Sequence, residues 1–331
     1  MSSRKKNIFF YWGKVILITL LVVLLIRSFI SAFSVSSSQM EATLHDGDRI
    51  LIDKTAYGLR LPVTVLSIPF SFDKILDFPS YSTLWQAPYK RIFAKAIDYN
   101  DVVLFNNPLE SEKPIDKREL LLSRCVALPG DTIEVKNGFF FINGKQYETT
   151  PNRIEQYWIR SIDREELENI ADEEGLTILD LKKSADTLLL KLSKYDAYIL
   201  NENLPDTLQK VTSIGTDSAK SYKIIIPQEG KRIKLNEESL IVYQQIILQE
   251  QYGKRITSSN GMLSINGINQ QEYTFEDSYY WFLSDNATNS TDSRSLGFIP
   301  FKHVIGRASY LWYSPASIKK SYNNLCFLPI E

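Results

Sequence analysis

Three short stretches of this chain carry residues able to do chemistry. The first, Ser36-Ser37-Ser38-Gln39-Met40-Glu41-Ala42-Thr43-Leu44-His45-Asp46-Gly47-Asp48, sets serine hydroxyls beside a carboxamide. The second places Ser123-Arg124 in the otherwise apolar run of residues 120–128. The third is polar, from Ser284-Asp285-Asn286 to Asp292-Ser293-Arg294. A serine hydroxyl attacks a carbonyl only when a neighbouring base takes its proton. A lysine can be that base when burial lowers its pKa, because desolvation disfavours the ammonium. Residues 120–128 contain neither lysine nor histidine. The two histidines, His45 and His303, and the two cysteines, Cys125 and Cys326, lack metal-ligand spacing. No metal and no cofactor is expected. Cys125, in an apolar run, reads as a buried inert thiol, and sequence leaves open whether it pairs with Cys326.

The first stretch resembles the nucleophile motif of the type I signal peptidases, roughly P-S-x-S-M-x-P-T-L-x-x-G-D. Four further matches follow in order. Ile52-Asp53-Lys54-Thr55-Ala56-Tyr57-Gly58 and Asp101-Val102-Val103-Leu104-Phe105 are similar to the family's next segments. Arg124-Cys125-Val126-Ala127-Leu128-Pro129-Gly130-Asp131 resembles its K-R-x-x-G-L-P-G-D motif. Ser284-Asp285-Asn286, Asn289-Ser290, Asp292-Ser293-Arg294 and Gly297-Phe298-Ile299-Pro300 resemble G-D-N-x-x-N-S-x-D-S-R-x-x-G-x-V-P.

The resemblance implies a mostly antiparallel β fold and a Ser-Lys dyad that cuts after a small-x-small signal. Carried onto this chain, the nucleophile position holds Gln39 and the base position holds Ser123. A carboxamide forms no acyl-enzyme as serine does, and a serine is no amine base. Ser37 matches the family's oxyanion serine, with the Gln39 backbone N–H beside it. Asp292, Ser293 and Arg294 match the residues that support the base. Ser284 replaces the family's glycine and Ala42 its proline. Ser38 adjoins Gln39, but neighbours in an extended strand face opposite ways, so Ser38 is expected to point away from the cleft. His45 reads as a loop histidine.

These motifs need elements to hold them. Arg4, Lys5 and Lys6 precede residues 8–33, whose only charges are Lys14 and Arg27. About 20 apolar residues span a bilayer, so an uncleaved membrane anchor is expected. The basic flank places the N-terminus in the cytoplasm and the bulk of the chain outside. The rival is a cleaved signal peptide ending at Ala32-Phe33-Ser34, against which Arg27 interrupts the cleavage region. With Lys plus Arg at 38 against Asp plus Glu at 39, there is no basic surface for nucleic acid.

Short β-branched runs predict strands at residues 49–52, 102–105, 123–128 and 304–312. Asn137-Gly138 and Asn143-Gly144 bracket a fifth at Phe139-Phe140-Phe141-Ile142, and Asn260 to Gly267 echoes that unit. Residues 62–100 hold too many prolines for a long helix; their aromatics suit either a lipid-facing or a buried loop. Helices are expected from Asp163, with Asp163 and Glu166 as a capping pair. A second is expected over residues 180–195 on Leu181, Leu188, Leu189 and Leu192, and a third over residues 236–251 on Leu240, Tyr243, Ile246 and Ile247.

The expected architecture is therefore mainly β with an α/β insert behind one transmembrane helix. Residues 1–33 are the cytoplasmic N-terminus and anchor. Residues 34–150 and 255–331 form the signal-peptidase-like β domain, and residues 150–255 the insert or second lobe. The expected function is that of a non-catalytic signal peptidase homologue in a bacterial cytoplasmic membrane. Its partners would be membrane lipid, signal peptides of exported preproteins or an active signal peptidase. The alternatives are an active peptidase with unorthodox residues, and a scaffold acting through the insert.

Overall fold

An apolar run without proline or glycine breaks after Gly13 makes the N-terminal helix, Ser3–Phe29. At 1.5 Å per residue it is about 40 Å long. It is the one helix among the described residues long and apolar enough to cross a membrane. The computed structural model describes residues 3–41, 43–68, 74–75, 78–136, 139–148, 153–160, 163–184, 187–205, 211–213, 222–259, 262–287, 291–315 and 327–330. The helix runs straight into the strand Ile30–Ser34, which pairs antiparallel with Arg49–Asp53. Ala32-Phe33-Ser34 is thus part of a sheet.

That sheet forms a half-barrel in the order Ile30–Ser34, Arg49–Asp53, Val304–Tyr313, Val102–Asn106, Leu120–Ala127, Tyr279–Leu283, Ile299–Pro300. The expected strands at 49–52, 102–105, 123–128 and 304–312 all lie in it, at slightly shifted ends. Its central strands are apolar on both sides because each side has a core. Leu104 and Leu122 enter a cluster with Met40, Leu44, Ile50 and Ile52. Their neighbours Val103, Phe105, Leu121 and Cys125 enter another with Phe282 and Ile299. Alternation along each strand delivers side chains to two cores at once. Cys125 is fully buried; Cys326 lies outside the described residues.

The echo between the two Asn-Gly units is a structural repeat. Thr132–Lys136, Phe139–Ile142 and Lys145–Gln146 form one meander, and Ile256–Ser259, Met262–Ile265 and Ile268–Gln270 form the other. Asn143 and Asn266 both have φ of 52°, each followed by a left-handed glycine, as a two-residue hairpin turn requires. The same bonds recur: Asn143 N–H to Thr132 O (2.9 Å) and Asn266 N–H to Arg255 O (2.8 Å). Each asparagine's side-chain oxygen also accepts an N–H, from Thr132 and from Arg255 respectively. Asn137-Gly138 and Asn260-Gly261 lie outside the described residues.

The third expected helix is present as Glu237–Glu250, capped by Asn236, whose side chain accepts the Ser239 N–H. Leu240, Tyr243, Ile246 and Ile247 are its buried stripe. The first is Arg164–Glu173, but Asp163 makes no capping bond, so the Asp163/Glu166 box does not form. The helix expected over 180–195 is wrong. Asp180–Ser184 and Thr187–Ser193 form an antiparallel hairpin, and a helix begins only at Lys194. Leu188, Leu190 and Leu192 are buried while their neighbours are not, a period of two rather than 3.6. Pairing of Thr187–Ser193 with Ile154–Arg160 fixes that choice.

Residues 62–100 contain only two-residue strands and no helix among the described residues. Phe78, Leu84, Trp85 and Phe93 project into solvent, Leu84 at 93% exposure. Of the two readings of this loop, the buried one does not describe these four side chains.

Candidate functional site

The Leu120–Ala127 strand carries Ser123 into the interior, fully buried. Its neighbour Tyr279–Leu283 pairs Leu283 with Arg124 and Phe282 with Cys125. The next residue, Ser284, therefore falls opposite Ser123. The two hydroxyl oxygens are 3.2 Å apart, and Ser284 is 1% exposed. Directly opposite residues on one face of a sheet share a single space between their side chains. Here two hydroxymethyl groups fill it.

The third polar stretch turns back over this pair. Asp292 caps the short helix Ser293–Leu296 by accepting the Arg294 N–H. Its carboxylate receives the Ser284 N–H at 2.9 Å and the Arg294 guanidinium at 2.6 Å. Burial pushes the Asp292 carboxyl up, but the bonds from Arg294 and Ser284 outweigh it and hold it below the usual carboxylate range. Ser293 Oγ accepts the Phe282 N–H at 2.9 Å. Arg294 also donates to the Ala287 carbonyl at 3.0 Å. These three residues thus clamp both ends of the segment that presents Ser284.

The first stretch is not the extended strand expected around Ser38. Ser38–Met40 is a turn of 3-10 helix. Alternation between faces does not apply within such a turn, so strand geometry does not orient residue 38. Met40 and Leu44, each 1% exposed, plug the turn into the core. Thr43 N–H and Leu44 N–H both bond to the Met40 carbonyl. The turn lies against the Leu120–Ala127 strand. Gln39, half-buried, accepts the Asn286 N–H at 2.9 Å through its carbonyl. Ser37 is exposed on the approach to it, and His45 is exposed beyond it, as a loop histidine should be. Ala42 lies outside the described residues, as do Asn289 and Ser290.

Sequence reasoning did not single out the clasp that joins the three stretches. Arg124 grips Asp285 through two nitrogens, at 3.0 and 2.8 Å, with both side chains buried. Thr43 donates its hydroxyl to the same carboxylate at 2.5 Å. Burial opposes the charge on Arg124, yet the Asp285 carboxylate outweighs it and raises the Arg124 pKa. The available signal was a lone charge in an apolar strand, which is kept only when paired. Ile154 reaches the same place: its N–H bonds to Asp285 O and Ala287 N–H bonds to Ile154 O, both at 3.0 Å.

Leu120–Leu122 pair on one side with Val102–Asn106, whereas Tyr279–Leu283 reaches only Arg124 and beyond. Among the described strands, none pairs with the other edge of Leu120–Leu122. This edge, unpaired among the described strands, ends at Ser123, and the Gln39 turn lies against the same strand.

The family model described as "Signal peptidase, peptidase S26" matches residues 9–206 and 204–313. The chain belongs to the peptidase S26 signal peptidase family. A Signal peptidase I of Rickettsia rickettsii is 26% identical over 317 residues, covering 95% of this chain and 82% of its own. That of Rickettsia massiliae is 24% identical over 314 residues, with coverage of 95% and 82%. That of Buchnera aphidicola is 25% identical over 317 residues, with coverage of 93% and 80%. The match therefore extends across residues 150–255, which carry none of the short motifs.

Proposed function

We propose that this chain is a membrane-anchored signal peptidase homologue that holds extended peptides without cutting them. The observation that carries the reading is the buried Ser123–Ser284 hydroxyl pair, 3.2 Å apart, where the family resemblance requires an amine. Neither hydroxyl is a base near neutral pH, so a hydroxyl at residue 37 or 38 would keep its proton. The nucleophile position holds a carboxamide, Gln39. What survives is the frame: the Asp292–Arg294 clamp, the Arg124–Asp285 clasp and the Gln39 backbone N–H.

The open edge of Leu120–Leu122 supports peptide binding by strand addition, in which backbone bonds give affinity and alternate side chains enter pockets. Small-x-small sequences of exported preproteins suit it by family analogy. The helix Ser3–Phe29 is read as a single-pass anchor in a bacterial cytoplasmic membrane, N-terminus inside and the β-sheets outside. Exposed Phe78, Leu84, Trp85 and Phe93 would meet the lipid surface beside it.

The test is equilibrium binding of an Ala-x-Ala peptide to the full chain in nanodiscs, with recovery of the peptide afterwards. Binding that weakens when the small residues become aspartate, with the peptide recovered intact, supports the reading. A cut peptide refutes the claim that the chain does not cut, and absence of binding refutes the claim that it holds peptides.

A further inference from the structure

The helix Glu237–Glu250 is apolar on the side that faces water. Its buried stripe is Leu240, Tyr243, Ile246 and Ile247. Ile241, Leu248 and, just past the helix end, Tyr252 fall on the opposite side, at the i, i+7, i+11 spacing that keeps side chains in line. Ile241 is 81% exposed, Leu248 41% and Tyr252 91%. Exposed Gln245 stands between Ile241 and Leu248 on the same side. No charged residue occurs from Ser239 to Gln249. A surface helix normally carries its charges on this outward face.

The charges stand at the two ends instead. Glu237 and Glu238 are exposed in the first turn, and Lys254 and Arg255 are exposed beyond the last. None of the four makes an ion pair among the described residues. Lys254 Nζ donates to the neutral Gln251 carboxamide. The ends of this 14-residue helix are about 20 Å apart, so the two sets of charges cannot neutralise each other within one chain. The helix dipole favours both sets, but it gives no reason for an apolar face between them.

We propose that this face pairs with the same helix of a second copy of the chain, antiparallel, about a two-fold axis beside Gln245. Two-fold pairing is isologous, so every contact occurs twice. Ile241 of each copy meets Leu248 of the other, and Glu237 and Glu238 of each lie beside Lys254 and Arg255 of the other. A parallel pairing would set like charges together at both ends. A lipid or an unrelated apolar segment would use the strip and leave the end charges idle, whereas self-pairing uses both. The face is small beside a stable interface of about 1,200–2,000 Å², so the copies exchange and a covalent trap is the suitable readout. The pairing does not depend on whether the chain cuts or holds peptides.

The test is disulfide trapping of the full chain in detergent at low salt. Gln245→Cys, beside the axis, is compared with Asn169→Cys, which is also exposed but lies on the helix Arg164–Glu173. Both carry Cys326→Ser. Mild oxidation should link the chain with Gln245→Cys on the order of tenfold more than the chain with Asn169→Cys, because pairing raises the effective concentration at the axis. Adding Ile241→Lys/Leu248→Lys should abolish the excess. Glu237→Lys/Glu238→Lys should lower it about tenfold, as should Lys254→Glu/Arg255→Glu, and the two swaps together should restore it. Circular dichroism checks folding, and restoration by the combined swap shows that neither swap acts by unfolding the chain. Equal trapping at residues 245 and 169 overturns the proposal. So does an excess that survives Ile241→Lys/Leu248→Lys, or a combined swap that fails to restore it.

Discussion

The support of this site and its two chemical positions have been treated differently. The support is charged and well partnered: buried Arg124 with Asp285 and Thr43, half-buried Arg294 with buried Asp292 and the Ala287 carbonyl. The chemical positions are neutral. Ser123 faces only another hydroxyl, and Gln39 is a half-buried carboxamide on a 3-10 turn. Buried ion pairs resist change because removing one partner strands the other charge. A nucleophile and its base are free to change once no reaction is selected for. Stability alone would preserve such a frame, so its presence is no argument for catalysis.

The contrast extends to Ser284. A lysine at position 123 would have to run across the cross-strand position that Ser284 now fills. Restoring the dyad therefore takes three changes, Gln39→Ser, Ser123→Lys and Ser284→Gly, where the sequence motifs alone suggested two. The largest predicted effect is on rate. The triple variant should cut an Ala-x-Ala precursor up to about a millionfold faster than the native chain, since a nucleophile and its base act as one unit. The variant that retains Ser284 should fall well short of it.

The next effect is on stability. Arg124→Met leaves the Asp285 carboxylate buried and unpaired, at a cost of about 3–5 kcal/mol. Gln39→Ala touches no such partner and should stay within about 0.5 kcal/mol. Denaturant unfolding of the solubilised chain checks both, and equal losses would erase the distinction between support and chemistry.

A pH titration sharpens the same contrast away from the site. His303 is buried with Nδ1 3.1 Å from the Asn106 carbonyl, and burial lowers its pKa to about 3. Its folded pKa lies below the ordinary 6.5, so its contribution is complete above 6.5 and is lost as pH falls toward 3. The slope from this group alone approaches about 1.4 kcal/mol per pH unit. His303→Asn should flatten that slope, and Gln39→Ala should leave it unchanged. The smallest effect concerns the hydroxyl pair. Ser284→Ala should cost about 1 kcal/mol by orphaning Ser123, whereas Ser123→Ala with Ser284→Ala together should be near neutral.

Much of this was legible in the sequence where local pattern and partner agreed. The main-sheet strands and the helix Glu237–Glu250 followed from short β-branched runs and from a buried stripe at helical spacing. The motif order put Gln39, Ser123 and Asp292–Arg294 into one reading before any coordinates. The leucines of the Asp180–Ser193 hairpin satisfy both periods, and only pairing with Ile154–Arg160 selects the strand. The Ser38–Met40 turn was read as extended because nothing local marks a 3-10 turn there. The Ser123–Ser284 contact joins residues 161 apart. Sequence could note a serine in place of glycine, but only strand register shows what that serine touches.

The central claim is tested most directly by incubating the native chain with an Ala-x-Ala precursor beside its Gln39→Ser/Ser123→Lys/Ser284→Gly variant. No cleavage by the native chain, with cleavage by the triple variant, is the predicted result. Cleavage by the native chain at the Ala-x-Ala site would contradict it, and would place a working nucleophile and base outside Gln39 and Ser123.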